Sequence, residues 1–297
     1  MKKSRKKKSG NNQAVRVLLF FFCAVFAGVF AFSGYKLYTI MHGYHSSAKT
    51  YSNLTEQYVA TNPPAAPTSS PFAAPEADPV STVPVPTQEL SPIEVDFGQL
   101  LGECRDIVGW IYSEGTKINY PIVQYPGDNP AAAEYYYLYR DIHGQYSGNG
   151  TPFLDVLCAG DFSDYNSIVY GHHMNDGSMF ASLDYYRASD GKFAKEHPVM
   201  YLNTPTQNYK VELFAGYLTD ADSNTYTVSF PDDSSFLLYC QEMKAKSDFA
   251  SDVVIQPGDR IITLSTCSYE WYDARYVVQG RLVPLDTLTT VSAVYNG

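Results

Sequence analysis

Arg260-Ile261-Ile262-Thr263-Leu264-Ser265-Thr266-Cys267 is a run of β-branched and aliphatic residues that ends in a thiol. Residues 268–273 separate it from a second run of the same character, which starts near Arg275, eight positions after the cysteine. β-Branched side chains suit a pleated, half-buried surface, so both runs are expected as strands. If they form an antiparallel hairpin, Cys267 and Arg275 face each other near its end. A guanidinium beside a thiol favours the thiolate and can hold a developing oxyanion. A buried strand cysteine and a solvated arginine fit the same spacing.

Working outward, further strand-like runs lie at 108–112, 118–124, 167–170, 199–203 and 209–217, and the second run of the hairpin extends over 275–283. They are short and separated by Gly, Asp, Asn and Pro turns. Helical periodicity covers 96–103, 179–186 and 236–246, with Phe236, Leu237, Cys240 and Met243 on one face of the last. This pattern predicts a mainly β fold, a barrel with peripheral helices. No internal repeat, Gly-rich phosphate loop or HExxH zinc pair is present.

The globular composition begins near Ile93, and the 297 residues divide accordingly. Residues 1–16 hold seven basic side chains and no acid; the remainder carries 14 basic against 31 acidic ones. So acidic a body argues against nucleic acid, since phosphate binding needs clustered Lys and Arg. Residues 17–35 are 19 uncharged, apolar residues, enough for a helix to span a hydrocarbon core of roughly 30 Å. The basic cluster before them places the N-terminus in the cytoplasm and the rest outside; a cleaved signal peptide is the rival reading. Leu37, Met41, Tyr44, Ala48, Tyr51, Leu54 and Tyr58 recur at steps of three and four, so 36–60 is expected as a juxtamembrane helix. Nine of the 18 prolines fall between Pro63 and Pro92, which marks 61–93 as an extended, semi-rigid spacer. Residues 94–297 form the domain expected to carry the chemistry.

Cys23 lies in the apolar run. Cys104, Cys158, Cys240 and Cys267 are too widely spaced for a zinc site; in an oxidising compartment they read either as two structural disulfides or as including a working thiol. Ile168-Val169-Tyr170-Gly171-His172-His173 is a strand that ends at a glycine and presents histidine at a loop, where it can serve a thiol as acid or base. A surface His-His pair is also commonly just solvated. His42, His45, His143 and His197 are assigned no catalytic role.

Taken together these pieces resemble a known family. Thr263-Leu264-Ser265-Thr266-Cys267 matches the TLxTC motif of sortases, the membrane-anchored cysteine transpeptidases of Gram-positive bacteria. Tyr170-Gly171-His172 matches their histidine motif, and Arg275 the arginine of the following strand. Val108-Gly109-Trp110-Ile111, Ile118-Asn119-Tyr120-Pro121-Ile122-Val123-Gln124, Asp128-Asn129, Tyr136-Tyr137-Leu138, Phe153-Leu154-Asp155 and Ser178-Met179-Phe180 follow the order of class B. The resemblance covers about residues 94–284. Departures fall at 130–134, at 156–161 and in the length of the proline segment, and bear on substrate contacts.

The resemblance implies a sortase-like β-barrel and a catalytic trio of His172, Cys267 and Arg275. Cys267 would attack a backbone carbonyl of a C-terminal sorting signal, Arg275 would stabilise the oxyanion, and protonated His172 would serve the leaving amine. An amine from a peptidoglycan precursor, or a pilin lysine, would resolve the thioester. No cofactor and no metal are expected. Ser265, which alternation places on the face of Cys267, is expected to contact the peptide, together with Thr266, Leu264 and Tyr269; Tyr269, Trp271 and Tyr272 would form an aromatic wall. The protein would sit in the cell membrane by a single pass, with its catalytic domain outside. A catalytically silent barrel that binds peptide or wall is the reading from another class.

Overall fold

A computed structural model describes residues 11–62, 90–127, 136–188, 191–268, 270 and 272–285. It divides into two units, Met1–Ala48 and Lys49–Gly297. Helix α1 (Asn11–Tyr58) supplies the first unit and the opening turns of the second. In the first, Val15–Thr39 is 25 residues long and apolar enough to cross a membrane. Phe20, Phe26 and Phe30 are exposed along it.

In the second unit, the end of α1 buries Tyr51, Leu54 and Tyr58, three members of the stripe at steps of three and four. Tyr51 Oη donates to Gly150 O at 2.7 Å, and Tyr58 Oη donates to Glu103 Oε1 at 2.9 Å. The helix stops at Tyr58 because the chain enters β1 (Val59–Thr61), which pairs antiparallel with β2 (Ile93–Val95). Asn62 N donates to Pro92 O at 2.8 Å. The two ends of the proline-rich segment are thus held side by side; residues 63–89, which carry the expected spacer, lie outside the described residues. Helix α2 (Phe97–Glu103) follows, capped by Asp96, whose Oδ1 accepts from Gln99 N at 3.0 Å.

Eight strands then close a barrel. They are β3 (Ile107–Tyr112), β4 (Asn119–Val123), β5 (Phe153–Leu154), β6 (Asn166–Tyr170), β7 (Val199–Asn203), β8 (Asn208–Asp220), β9 (Ile261–Cys267) and β10 (Ala274–Leu285). The cyclic order is β10-β8-β7-β3-β4-β5-β6-β9. Among the described residues, only β4–β5 and β6–β9 pair in parallel. Helices α3 (Asp184–Ala188) and α4 (Lys192–Glu196) lie between β6 and β7, and α5 (Asp233–Ala245) lies between β8 and β9. The mainly β barrel with peripheral helices read from the sequence is the fold observed.

Three details differ from the sequence expectation. Residues 179–186 are not one helix: Met179 has φ +55, a 3-10 turn covers Ala181–Leu183, and α3 begins only at Asp184. On α5 the buried face is Phe236, Tyr239, Cys240 and Met243, without Leu237. β5 is absent from the expected strands because an element two residues long has no periodicity to read.

Beneath helix α5 the barrel wall carries a polar clip as well as apolar packing. Thr263 Oγ1 on β9 donates to Asn166 Oδ1 on β6 at 2.7 Å. Gln279 Nε2 on β10 donates to Thr263 Oγ1 and to Tyr239 Oη, both at 2.9 Å. All four side chains are buried, where unmet polar groups are costly. The clip therefore fixes the mutual register of the three strands that carry the site.

Candidate active site

Strand order does most of the assembly. On the parallel pair β6–β9, Tyr170 stands opposite Ser265, and Gly171 N donates to Ser265 O at 3.0 Å. His172 and Cys267 each lie two residues beyond that pair, so they leave the same end of neighbouring strands about 4.8 Å apart. On the antiparallel side, Arg275 of β10 is the Cα partner of Cys267, as the hairpin reading expected. All three line one cleft of about 690 Å³.

The glycine before the histidine has a steric reason. A Cβ on Gly171 would stand 2.6 Å from Phe180 Cγ and Cδ2, and Phe180 is fully buried. Phe180 N donates to His172 O at 3.0 Å, which fixes the loop just after the strand. His172 Nε2 lies 2.7 Å from Leu138 O. A carbonyl only accepts, so Nε2 carries a proton and the titrating position is Nδ1. Burial pulls the His172 pKa down, and the bond to Leu138 opposes this in part. Neighbouring His173 differs: its Nε2 is 2.7 Å from Asp184 Oδ2, and that carboxylate pushes its pKa up. Only His172 of the two lines the cleft.

Arg275 Nη1 donates to Ala274 O at 3.1 Å, and Nη2 lies 3.3 Å from Asp273 Oδ1. Asp273 itself has φ +62, in the turn just before the strand. Cys267 is half-exposed, whereas Cys104, Cys158 and Cys240 are buried. Burial pushes the Cys158 and Cys240 thiols up to about 12, which makes them poor nucleophiles. All five cysteines are free, so the pair of structural disulfides weighed from the sequence does not form. Among the described residues, no group of three or more His, Cys, Asp and Glu side chains is placed to hold a metal.

The expected substrate contacts separate. Ser265 lines the cleft beside Cys267, but its Oγ is engaged by Tyr226 Oη at 2.9 Å. Thr266 also borders the cleft. Leu264 is buried at 1% exposure and does not line it; strand alternation turns its side chain away from the face of Ser265. Tyr269 and Trp271 lie outside the described residues, as do Asp128, Asn129 and 130–134, while Tyr272 is 93% exposed. Sequence reading missed the Leu138 carbonyl, which no side-chain pattern can announce. It also missed Tyr226, whose ring stacks on Tyr170 at 5.9 Å, and Tyr170 Oη, which donates to Asp155 Oδ2 at 2.9 Å.

A family model described as a sortase domain matches residues 114–283. The chain belongs to the sortase family. It is 40% identical to sortase B of Listeria monocytogenes over 181 residues, 60% of this chain and 70% of that one. It is 32% identical to sortase B of Staphylococcus aureus over 182 residues, 60% and 71% of the two chains. A structure described as a Staphylococcus aureus sortase B–substrate complex superposes with TM-score 0.58 at 30% identity, over 64% of this chain and 85% of that one. A Bacillus anthracis sortase B structure superposes with TM-score 0.62 at 28% identity, over 82% of this chain and all of the other. This sortase is thus most like class B, and its activity is that of a sortase transpeptidase.

Proposed function

We propose that this sortase is anchored in the cell membrane by α1, cleaves a C-terminal sorting signal of secreted proteins through a thioester on Cys267, and joins the carried protein to a cell-wall amine. The observation that carries the reading is the convergence of His172, Cys267 and Arg275, from three adjacent strands, on one cleft. In this reading the Cys267 thiolate attacks the scissile carbonyl. The Arg275 guanidinium, its side chain 25% exposed at the strand end, stabilises the oxyanion. His172 gives the proton on Nδ1 to the departing amine, and the C–N bond breaks. The acceptor amine then attacks the thioester, and Nδ1 takes up its proton as the sulfur leaves as thiolate.

The walls of the cleft suit a peptide. Tyr139, Val156 and Leu157 border it, and Leu157 is 74% exposed although apolar. Ser265 and Thr266 precede Cys267 on the strand and line the same cleft. Thiolate and imidazolium must coexist, and burial disfavours the imidazolium of His172. The active protonation state is therefore a minor one at neutral pH, and the enzyme is expected to be slow, with a bell-shaped pH profile. The apolar span Val15–Thr39, preceded by basic residues, supports a cytoplasmic N-terminus and an extracellular barrel. The test is turnover of quenched Asn-Pro-x-Thr-Asn-type and Pro-x-Thr-Gly-type peptides with and without an added amine. Amine-dependent ligation supports the reading; hydrolysis with no ligation product under any amine contradicts it.

A further inference from the structure

We infer that the short helix α3 is a brace that holds the histidine loop and the cysteine–arginine loop in register, with Asp184 and Arg187 as positioning residues for the transpeptidase. The β6–β9 ladder fixes the backbone only as far as Tyr170 and Gly171 against Ser265. Beyond it, His172 leaves the sheet on one connection, while Cys267, paired with Arg275 at the end of β9, is followed by another. Helix α3 touches both. Asp184 Oδ2 is 2.7 Å from Nε2 of His173, the residue next to His172. Arg187 Nη1 is 2.7 Å from Oε1 of Glu270, which lies between Cys267 and Arg275.

Asp184 and Arg187 are three positions apart, so the two side chains share a face of the helix. Each grips a different loop from a base of only one turn. Arg187 also feels the carboxylates of Asp184 and Asp248, so a single guanidinium balances three acids and couples the two arms electrostatically. The ion pairs are partly exposed, with side-chain exposures of 16% and 40% for His173–Asp184, and 34% and 46% for Arg187–Glu270. Arg187–Glu270 is exposed enough to add little to global stability, whereas His173 is largely shielded. Loss of the Arg187 arm should therefore appear in turnover rather than in unfolding, and loss of the Asp184 arm in both, since small misplacements of reacting groups are costly in rate.

The test uses the full chain and whichever quenched peptide of the two signal types it turns over fastest. Asp184→Ala and Arg187→Ala should each lower kcat about ten-fold with KM within about two-fold, and Arg187→Ala should keep the melting temperature within about 2 °C. Arg187→Lys, which keeps charge and reach, and His173→Gln, which keeps a donor for Asp184, should retain about half of the parent rate or more. The double variant Asp184→Ala/Arg187→Ala should lose little more than either single variant, because one released arm already frees the register. The brace is overturned if both single variants turn over within two-fold of the parent, if the losses multiply, or if Arg187→Lys is as damaged as Arg187→Ala. The inference rests on the cysteine-transpeptidase reading. A parent that turns over no peptide sinks that reading, whereas an active parent with unaffected variants sinks only the brace.

Discussion

Replacing Gly171 by alanine tests how closely the site depends on one missing methyl group. The new Cβ would meet Phe180 Cγ and Cδ2 at 2.6 Å and Cε2 at 3.0 Å, against an ordinary carbon contact of about 3.5–4.0 Å. Something must move by about 1 Å. Phe180 is fully buried, and a packed core does not yield easily, so the loop carrying His172 gives way. Overpacking of this kind costs about 1–3 kcal/mol, which for a domain of this size lowers the melting temperature by roughly 2–4 °C per kcal/mol. The effect on rate should be larger, because a 1 Å misplacement of a reacting group can cost about 100-fold. Single-turnover acylation by a quenched peptide reads it directly. In a Phe180→Ala background the ring is gone, and adding Gly171→Ala should then cost little. If Gly171→Ala alone acylates within about three-fold of the parent, the proposed coupling between Gly171, Phe180 and His172 is wrong.

The remaining predictions concern the trio, the clip, the N-terminal packing and pH. Arg275→Lys should lower kcat/KM by about 100-fold or more, since lysine lacks the planar fork; steady-state kinetics at matched peptide concentration decide it. Thr263→Val leaves Asn166 Oδ1 and Gln279 Nε2 each short of a bond, and should cost about 2–4 kcal/mol in urea unfolding with Cys267 chemistry retained. Leu54→Ala should destabilise the chain by about 2–5 kcal/mol, because Leu54 is buried in the unit that begins at Lys49; an unchanged urea midpoint would mean that the end of α1 does not pack there. The two histidines act on stability in opposite senses. His172 has a lowered pKa in the fold, so the folded state binds fewer protons, and stability is lost as pH falls below the ordinary imidazole value of about 6.5. His173 has a raised pKa, so its contribution is fully present below the ordinary value and is lost as pH rises beyond it, through the raised value of the folded state. Relative to the parent, His172→Gln should therefore gain stability on going from pH 8 to pH 5 and His173→Gln should lose it, as read by urea midpoints.

The hairpin that sets Cys267 opposite Arg275 is legible in advance because its information is local. The strand period and the eight-residue offset suffice to set Arg275 opposite Cys267 in an antiparallel hairpin, and that register is the one observed; a role for the pair comes from the resemblance. His172 is harder, since residues alone leave it level with His173; the distinction lies in the third dimension, where one ring meets Leu138 O and the other meets Asp184. The proline-rich segment reads as an extended, semi-rigid spacer from composition, which reports stiffness and says nothing of where the ends go. The pairing of Thr61 with Ile93 brings them together. Leu264 reads as a substrate contact because it belongs to the motif, but alternation along β9 sends it into the core. Tyr226 leaves no trace in the pattern, because its role depends on the close approach of the Asn224–Tyr226 turn to Ser265.

The most direct test of the central claim is rapid acid quenching of the chain during turnover of a signal peptide, followed by mass spectrometry of its proteolytic fragments. The account predicts an acyl group, equal in mass to the N-terminal part of the cleaved peptide, on the fragment containing Cys267 and absent from the Cys267→Ala variant. Cleavage of the peptide with that fragment unmodified, or with the acyl group on another residue, would contradict it.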